Sequence, residues 1–117
     1  GADADPALRD LVVRAWMDAE AYSLSTYATA SRLLAGGSLG AEASLNKIFW
    51  SEMDVRMHET ALALLGSDAA LLAPAAPPEA AGWLDGFLFS LAGPIYAGTN
   101  EIQRNVIAER VLGLPRD

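Results

Sequence analysis

From Ala7 to about Ala35 the chain runs without a glycine or a proline. Within it Leu8, Leu11, Val12, Ala15, Ala19, Tyr22, Ala30 and Leu33 recur at steps of three and four, with Thr26 filling one gap. That spacing lays one apolar stripe along an α-helix. Asp5 has the side chain of a good N-cap, and Pro6 fits the first helical position, where a missing N–H costs nothing. Gly36-Gly37 supplies the stop. The pattern predicts a helix over about 6–35, with Arg14 and Asp18 spaced to pair on its wet side. Trp16, Tyr27 and Leu34 fall off the main stripe, which predicts a second buried face.

The stripe resumes as Leu45, Ile48, Phe49, Met53, Met57, Ala61 and Leu64. This predicts a helix over about 41–65, with Ser38 as a candidate N-cap, Glu42 in the first turn and Gly66 as the stop. Glu52 and Arg56, then Asp54 and His58, have the spacing of side-chain pairs, and His58 reads as the half-exposed partner of Asp54. Residues 67–78 are rich in alanine and proline and read as a loop, with a short helical turn over Ala69–Ala73. Pro78-Glu79 opens a third helix over about 79–92, which ends before Gly93-Pro94. A last helix spans about 101–112. Asn100 as N-cap with Gln103 three positions on forms a capping box, and Gly113 then Pro115 is a stop signal. No segment alternates with period two. The fold class is all-α, an antiparallel up-and-down helical bundle, with residues 1–117 forming a single helical domain. Two long helices, one medium and one short make an incomplete bundle, so an apolar face is left for a partner.

Composition narrows the chemistry. The net charge is -7, from eight Lys+Arg and fifteen Asp+Glu, so a basic nucleic-acid-binding patch is absent. With no cysteine and one histidine, disulfides, thiolate nucleophiles and multi-His metal sites are excluded. No run of residues reaches the ~18–20 apolar positions of a membrane span, and the acidic N-terminus is unlike a signal peptide. A soluble, cytoplasmic protein is expected.

The candidate chemistry lies near the C-terminus. Gly98 gives a sharp turn with no side chain, which lets a planar ligand approach the backbone. Thr99, Asn100 and Glu101 then bring polar side chains and free N–H groups to a helix N-terminus, a natural acceptor for a phosphate or a polar ring edge. An ordinary capped helix after a glycine turn has the same residues.

The phrase Tyr96-Ala97-Gly98-Thr99-Asn100-Glu101-Ile102-Gln103-Arg104, followed by Ile107-Ala108-Glu109-Arg110-Val111-Leu112-Gly113-Leu114-Pro115, resembles the C-terminal signature of the acyl-CoA dehydrogenases. It is long and ungapped. Ser44-Leu45-Asn46-Lys47, with Glu52 further on, resembles the family's small-x-x-Lys segment, and Leu64-Leu65-Gly66 sits where the family ends that helix. The resemblance covers essentially the whole chain. It implies an FAD enzyme that oxidises an acyl-CoA thioester to a trans-2-enoyl-CoA. In that family a carboxylate base takes the α-proton while flavin N5 accepts the β-hydride. It also implies a C-terminal four-helix domain that makes the oligomer, with a copy of itself or a related subunit, and an electron-transfer flavoprotein as redox partner. The chain begins at the second helix of that domain. The first helix and the Arg-x-x-Phe-Gly segment after it have no counterpart before Asp5.

Carried over residue by residue, Gly98 matches the glycine that approaches the substrate, and Thr99, Asn100 and Glu101 match the triplet that touches FAD. Ala97 departs: many members carry the glutamate base there, and alanine removes no proton. In a minority of members the base comes from the first helix of the domain. The resemblance therefore implies either a base upstream in a longer parent or a non-catalytic subunit without a working flavin site. Ala63, Leu64, Leu65, Gly66 and Ser67 stand where many members carry Gln-x-x-Gly-Gly, which weakens an FAD contact across subunits. Trp16, Trp50 and Trp83 read as core or interface residues. Glu52 and Glu59 read as solvated carboxylates, and Lys47 as a paired surface or interface lysine. Arg104 and Arg110 read as solvent-facing or ion-paired, with a cofactor or subunit contact as the alternative.

Overall fold

The computed structural model describes residues 5–70, 75, 77, 78 and 80–116. Among these, four α-helices and one 3-10 turn account for the regular structure: α1 (Pro6–Leu34), α2 (Glu42–Leu65), the 3-10 turn (Gly66–Ala70), α3 (Trp83–Ser90) and α4 (Asn100–Arg110). No strand occurs among the described residues, and the fold is all-α. None of the helices is long and apolar enough to cross a membrane.

α1 opens where Asp5 Oδ1 accepts the Ala7 N–H at 2.9 Å and Pro6 takes the first turn. It ends at Leu34, with Ala35 as C-cap and Gly36 at φ 86°. α2 differs from the expected start. Ser38 does not cap it; Ala41 is the capping residue and makes no side-chain bond. Arg32 and Glu42 instead form an ion pair at 2.6 Å that closes the connection between the two helices. Residues 66–70 wind into a 3-10 turn that begins ahead of the helical turn expected over Ala69–Ala73 in the loop 67–78, while 71–74, 76 and Glu79 lie outside the described residues. α3 is shorter than the 79–92 expected. Its N-cap, Gly82, is left-handed at φ 89°, which breaks any helix running in from Pro78. α4 spans 100–110, ending one turn ahead of Gly113 at φ 68°.

α2 is the hub. It packs against α1 on one side and against α3 and α4 on the other, and α1 packs against neither α3 nor α4. Contacts along α1 and α2 run in opposite senses: Asp18 meets Arg56 at 2.9 Å, Tyr22 stacks on Phe49 and Arg32 meets Glu42. α3 is antiparallel to α2 as well, with Trp83 edge-on to His58 and Gly93 beside Ser51. α4 then runs back in the sense of α2, since Asn100 reaches Lys47 and Arg104 reaches Glu52. The order is up-and-down, but the helices do not enclose a common core. The radius of gyration is 17.7 Å, against about 13 Å for a compact domain of this length. α1 alone is about 44 Å long at the usual rise per residue.

Two expected ion pairs are replaced by longer-range ones. Arg14 pairs with Asp10 rather than Asp18, because Asp18 is taken by Arg56 of α2. Arg56 is thereby unavailable to Glu52, which pairs with Arg104 of α4. His58 does sit by Asp54, its Nδ1 3.4 Å from the carboxylate.

The burial pattern is unusual. Ala80 is the one apolar residue buried among those described; the other buried side chains are Ser44, Ser51, Ser90 and Asn100. No residue of α1 is buried. Trp16 is 63% exposed, Tyr27 71% and Leu34 90%, so neither face of α1 finds the cover its pattern predicts. An apolar groove of about 620 Å³ runs between α1 and the start of α2, lined among others by Tyr22, Leu33, Leu39, Leu45 and Phe49. Large exposed apolar patches are a general feature of interaction surfaces.

Candidate functional site

The candidate turn hangs from the driest part of the chain. Ser51 is fully buried, Ser90 and Gly93 are buried, and a Cβ on Gly93 would stand 3.3 Å from that of Ser51. Small side chains here let the end of α3 approach α2. From there the chain turns back over 94–100. The Asn100 N–H donates to the Pro94 carbonyl at 2.9 Å, the Gln103 Nε2 to the Ala97 carbonyl at 3.2 Å, and Tyr96 lies edge-on to Trp50.

Ala97 and Gly98 both have positive φ, 54° and 85°. Glycine takes this region freely; an alanine there costs roughly 1–2 kcal/mol. Ala97 is the single non-glycine residue with positive φ among those described, so the local strain of the chain is concentrated at the candidate site. Both residues are exposed. At Gly98 a Cβ would fall 2.9 Å from Gln103 Nε2, so a side chain there meets a neighbour as well as strain.

The cap is displaced by one residue from the expected box. Thr99, not Asn100, is the N-cap, with its Oγ1 accepting from the Ile102 N–H at 3.4 Å. Gln103 bonds to Ala97 instead of closing the box. Asn100 is freed for another task. It is 2% exposed, and its amide points into α2. Its Oδ1 accepts from Lys47 Nζ at 2.7 Å, while its Nδ2 donates to Ser51 Oγ at 3.1 Å and Glu52 Oε1 at 3.2 Å. The Ser51 hydroxyl in turn donates to the Ile48 carbonyl at 3.2 Å. The orientation is dictated by chemistry: an ammonium on one side needs an acceptor, and a carboxylate on the other needs a donor. Glu52 also accepts from Arg104. It is thus a bridge between α2 and α4, in place of the solvated carboxylate the sequence suggested.

Glu101 faces outward, its side chain 78% exposed. Its own backbone N–H, then the Thr99 hydroxyl, hold its carboxyl below the usual carboxylate range; partial burial opposes this, and the charges of Arg104 and Lys47 assist. The carboxylate belongs to the first turn of α4. A phosphate at that terminus would meet a negative charge, whereas a hydroxyl or amino donor on a ring edge would meet an acceptor.

Of the predicted site residues, the fold brings Gly98, Thr99 and Glu101 to one exposed turn beside Ala97 and sends Asn100 inward. Sequence reasoning missed the cluster Lys47, Ser51, Glu52 and Arg104 around Asn100. Part of its signal was present on α2, where Lys47 and Ser51, four apart, fall on one helical face. Among the described residues no group of His, Asp or Glu side chains is placed to hold a metal.

Residues 3–112 match the family described as acyl-CoA dehydrogenase, C-terminal domain. The chain is 34% identical over 113 residues to acyl-CoA dehydrogenase IpdE1 of Mycobacterium tuberculosis, covering 97% of this chain and 28% of that protein. It is 36% identical over 117 residues to acyl-CoA dehydrogenase IpdE1 of Mycolicibacterium smegmatis, covering 100% and 28%. It thus spans little more than a quarter of the curated relatives it matches. Among solved structures it is similar to a chain of the ChsE4-ChsE5 complex from Mycobacterium tuberculosis, with a TM-score of 0.80 and 28% identity over 94% of this chain and 29% of that one. It shares the fold of a chain in the Tcur3481-Tcur3483 steroid ACAD, with a TM-score of 0.82 and 22% identity over 97% and 30%. With the helical order and a match along nearly its full length in agreement, the chain belongs to the acyl-CoA dehydrogenase family, as its C-terminal helical domain.

Proposed function

We propose that the chain is the C-terminal portion of an FAD-dependent acyl-CoA dehydrogenase, to which it contributes a cofactor-facing turn and a subunit interface. The observation that carries this reading is the turn itself. Two successive residues with positive φ feed into a helix whose first turn is pinned inward through Asn100, leaving Gly98 and Glu101 exposed. FAD, when bound, supplies the acceptor for the hydride leaving the acyl β-carbon. Gly98 lets the thioester lie against the backbone. Thr99 and Glu101 face the cofactor, Thr99 ordering the helix start and Glu101 accepting hydrogen bonds from hydroxyl or amino groups. Asn100 supports both from behind.

Ala97 holds no proton-accepting group, so the base that takes the α-proton belongs to another segment of the longer protein or to a related subunit. The second arrangement is favoured by the uncovered α1 and by the likeness to a two-component complex. The exposed apolar face of α1, with Trp16, Leu24 and Tyr27, is the proposed interface. An electron-transfer flavoprotein is the expected electron acceptor, and the cell interior the expected location.

One turn and one helix start are a small part of a dinucleotide site. The isolated 117-residue chain is therefore expected to bind FAD weakly, while the full-length protein assembled with its partner binds it stoichiometrically. Isothermal titration of both separates the cases. Submicromolar binding by the isolated chain would contradict a site shared among domains.

A further inference from the structure

Lys47 sits where stability alone would not put it. Its ammonium lies beside the N-terminus of α4, the positive end of that helix, where a cation is disfavoured. Among the described residues no carboxylate comes within 4 Å of it, although Glu52 stands one turn further along α2. Its recorded partner is the Asn100 amide oxygen, at a distance typical of a charge-assisted bond. Asn100 lies between Thr99 and Glu101 in sequence, and successive residues of an α-helix are about 100° apart. Whatever holds the Asn100 side chain inward therefore sets the roll of the first turn of α4, and with it the directions in which Thr99 and Glu101 leave the helix.

We propose that Lys47 is a positioning residue: with Ser51 and Glu52 it locks the Asn100 amide against α2 and so aims the 97–101 turn at the cofactor. This rests on the FAD reading above. Lys47 and Glu52 make the lock directional, because rotating the amide by half a turn would set NH2 against the ammonium and oxygen against the carboxylate. Ser51 makes it dry, being fully buried. The charge of Lys47 also favours the ionised Glu101 that the same turn presents.

The test uses the full-length protein with its partner subunit and bound FAD. Lys47→Met keeps the length of the side chain and removes donor and charge; Lys47→Arg keeps both. A misplacement of about 1 Å can cost roughly 100-fold, so Lys47→Met is expected to raise the FAD dissociation constant by up to about that factor and to alter the visible circular dichroism of the flavin. The far-UV spectrum and oligomeric state are expected to stay native, and Lys47→Arg to recover most of the loss. Ser51→Ala, which leaves the charge in place, gives a smaller loss in the same direction and serves if Lys47→Met does not fold. Unchanged FAD affinity and flavin spectrum in Lys47→Met, whatever its thermal midpoint, would overturn the proposal, as would an unchanged Ser51→Ala in that second case. A wild-type assembly that holds no FAD would overturn the cofactor reading itself.

Discussion

Asn100→Leu is expected to lower the stability of the folded chain by about 2–4 kcal/mol. Leucine has nearly the shape of asparagine, so the change isolates hydrogen bonding from packing. Three bonds disappear, to Lys47, Ser51 and Glu52. The bonds to the Lys47 ammonium and the Glu52 carboxylate are worth roughly 1.5–3 kcal/mol each, and the bond to Ser51 about 1 kcal/mol. The loss is reduced because Ser51 keeps the Ile48 carbonyl, Glu52 keeps Arg104, and water reaches the half-buried Lys47. Urea denaturation followed by far-UV circular dichroism reads the result as a lower midpoint with an unchanged slope. Arg104→Met is the contrast. Its pair with Glu52 is substantially exposed, at 52% and 37% of the two side chains, and exposed pairs are worth at most about 1 kcal/mol. An Asn100→Leu variant no weaker than Arg104→Met would mean that the inward amide does not secure α4.

The second large effect concerns the missing base. In the full-length protein, with the native base removed by mutation, Ala97→Glu is expected to restore part of the turnover. The backbone is already in the left-handed region at Ala97, so glutamate adds no strain that alanine does not already bear, and the position is exposed, with room for a longer side chain. In the proposed function, Gly98 next to it lets the substrate approach the backbone. A base must come within roughly 2.6–3.2 Å of its proton, directly or through one water, and contributes about 10²–10⁴-fold. Stopped-flow measurement of flavin reduction detects even the lower figure. If FAD and acyl-CoA are bound and Ala97→Glu still gives nothing, position 97 does not face the α-carbon.

Local signals were readable wherever local forces decide. Asp5-Pro6 starts α1, Gly36 stops it, and His58 finds Asp54 one turn back. The glycine turn at Gly98 was evident because only the backbone has to comply there. What escaped was every choice made between helices. Thr99 and Asn100 are both good caps, and the sequence around them does not rank them. Asn100 goes inward because Lys47 and Glu52, about fifty residues earlier, need an acceptor and a donor at that spot. Likewise Asp18 has a local partner in Arg14, yet binds Arg56 across the α1–α2 seam. The stripe on α1 announces that an apolar face wants cover without saying what covers it, and among the described elements only α2 touches it.

The central claim is that this chain helps hold FAD in an acyl-CoA dehydrogenase whose proton-abstracting group lies elsewhere than position 97. The most direct measurement is anaerobic mixing of the purified full-length protein, co-expressed with its related subunit, with an acyl-CoA thioester while the flavin absorbance is followed. The expected result is a yellow assembly that bleaches on mixing, with Glu101→Ala weakening flavin retention and Ala97→Gly leaving the bleaching intact. A colourless assembly, or one whose bleaching is lost in Ala97→Gly, would contradict it.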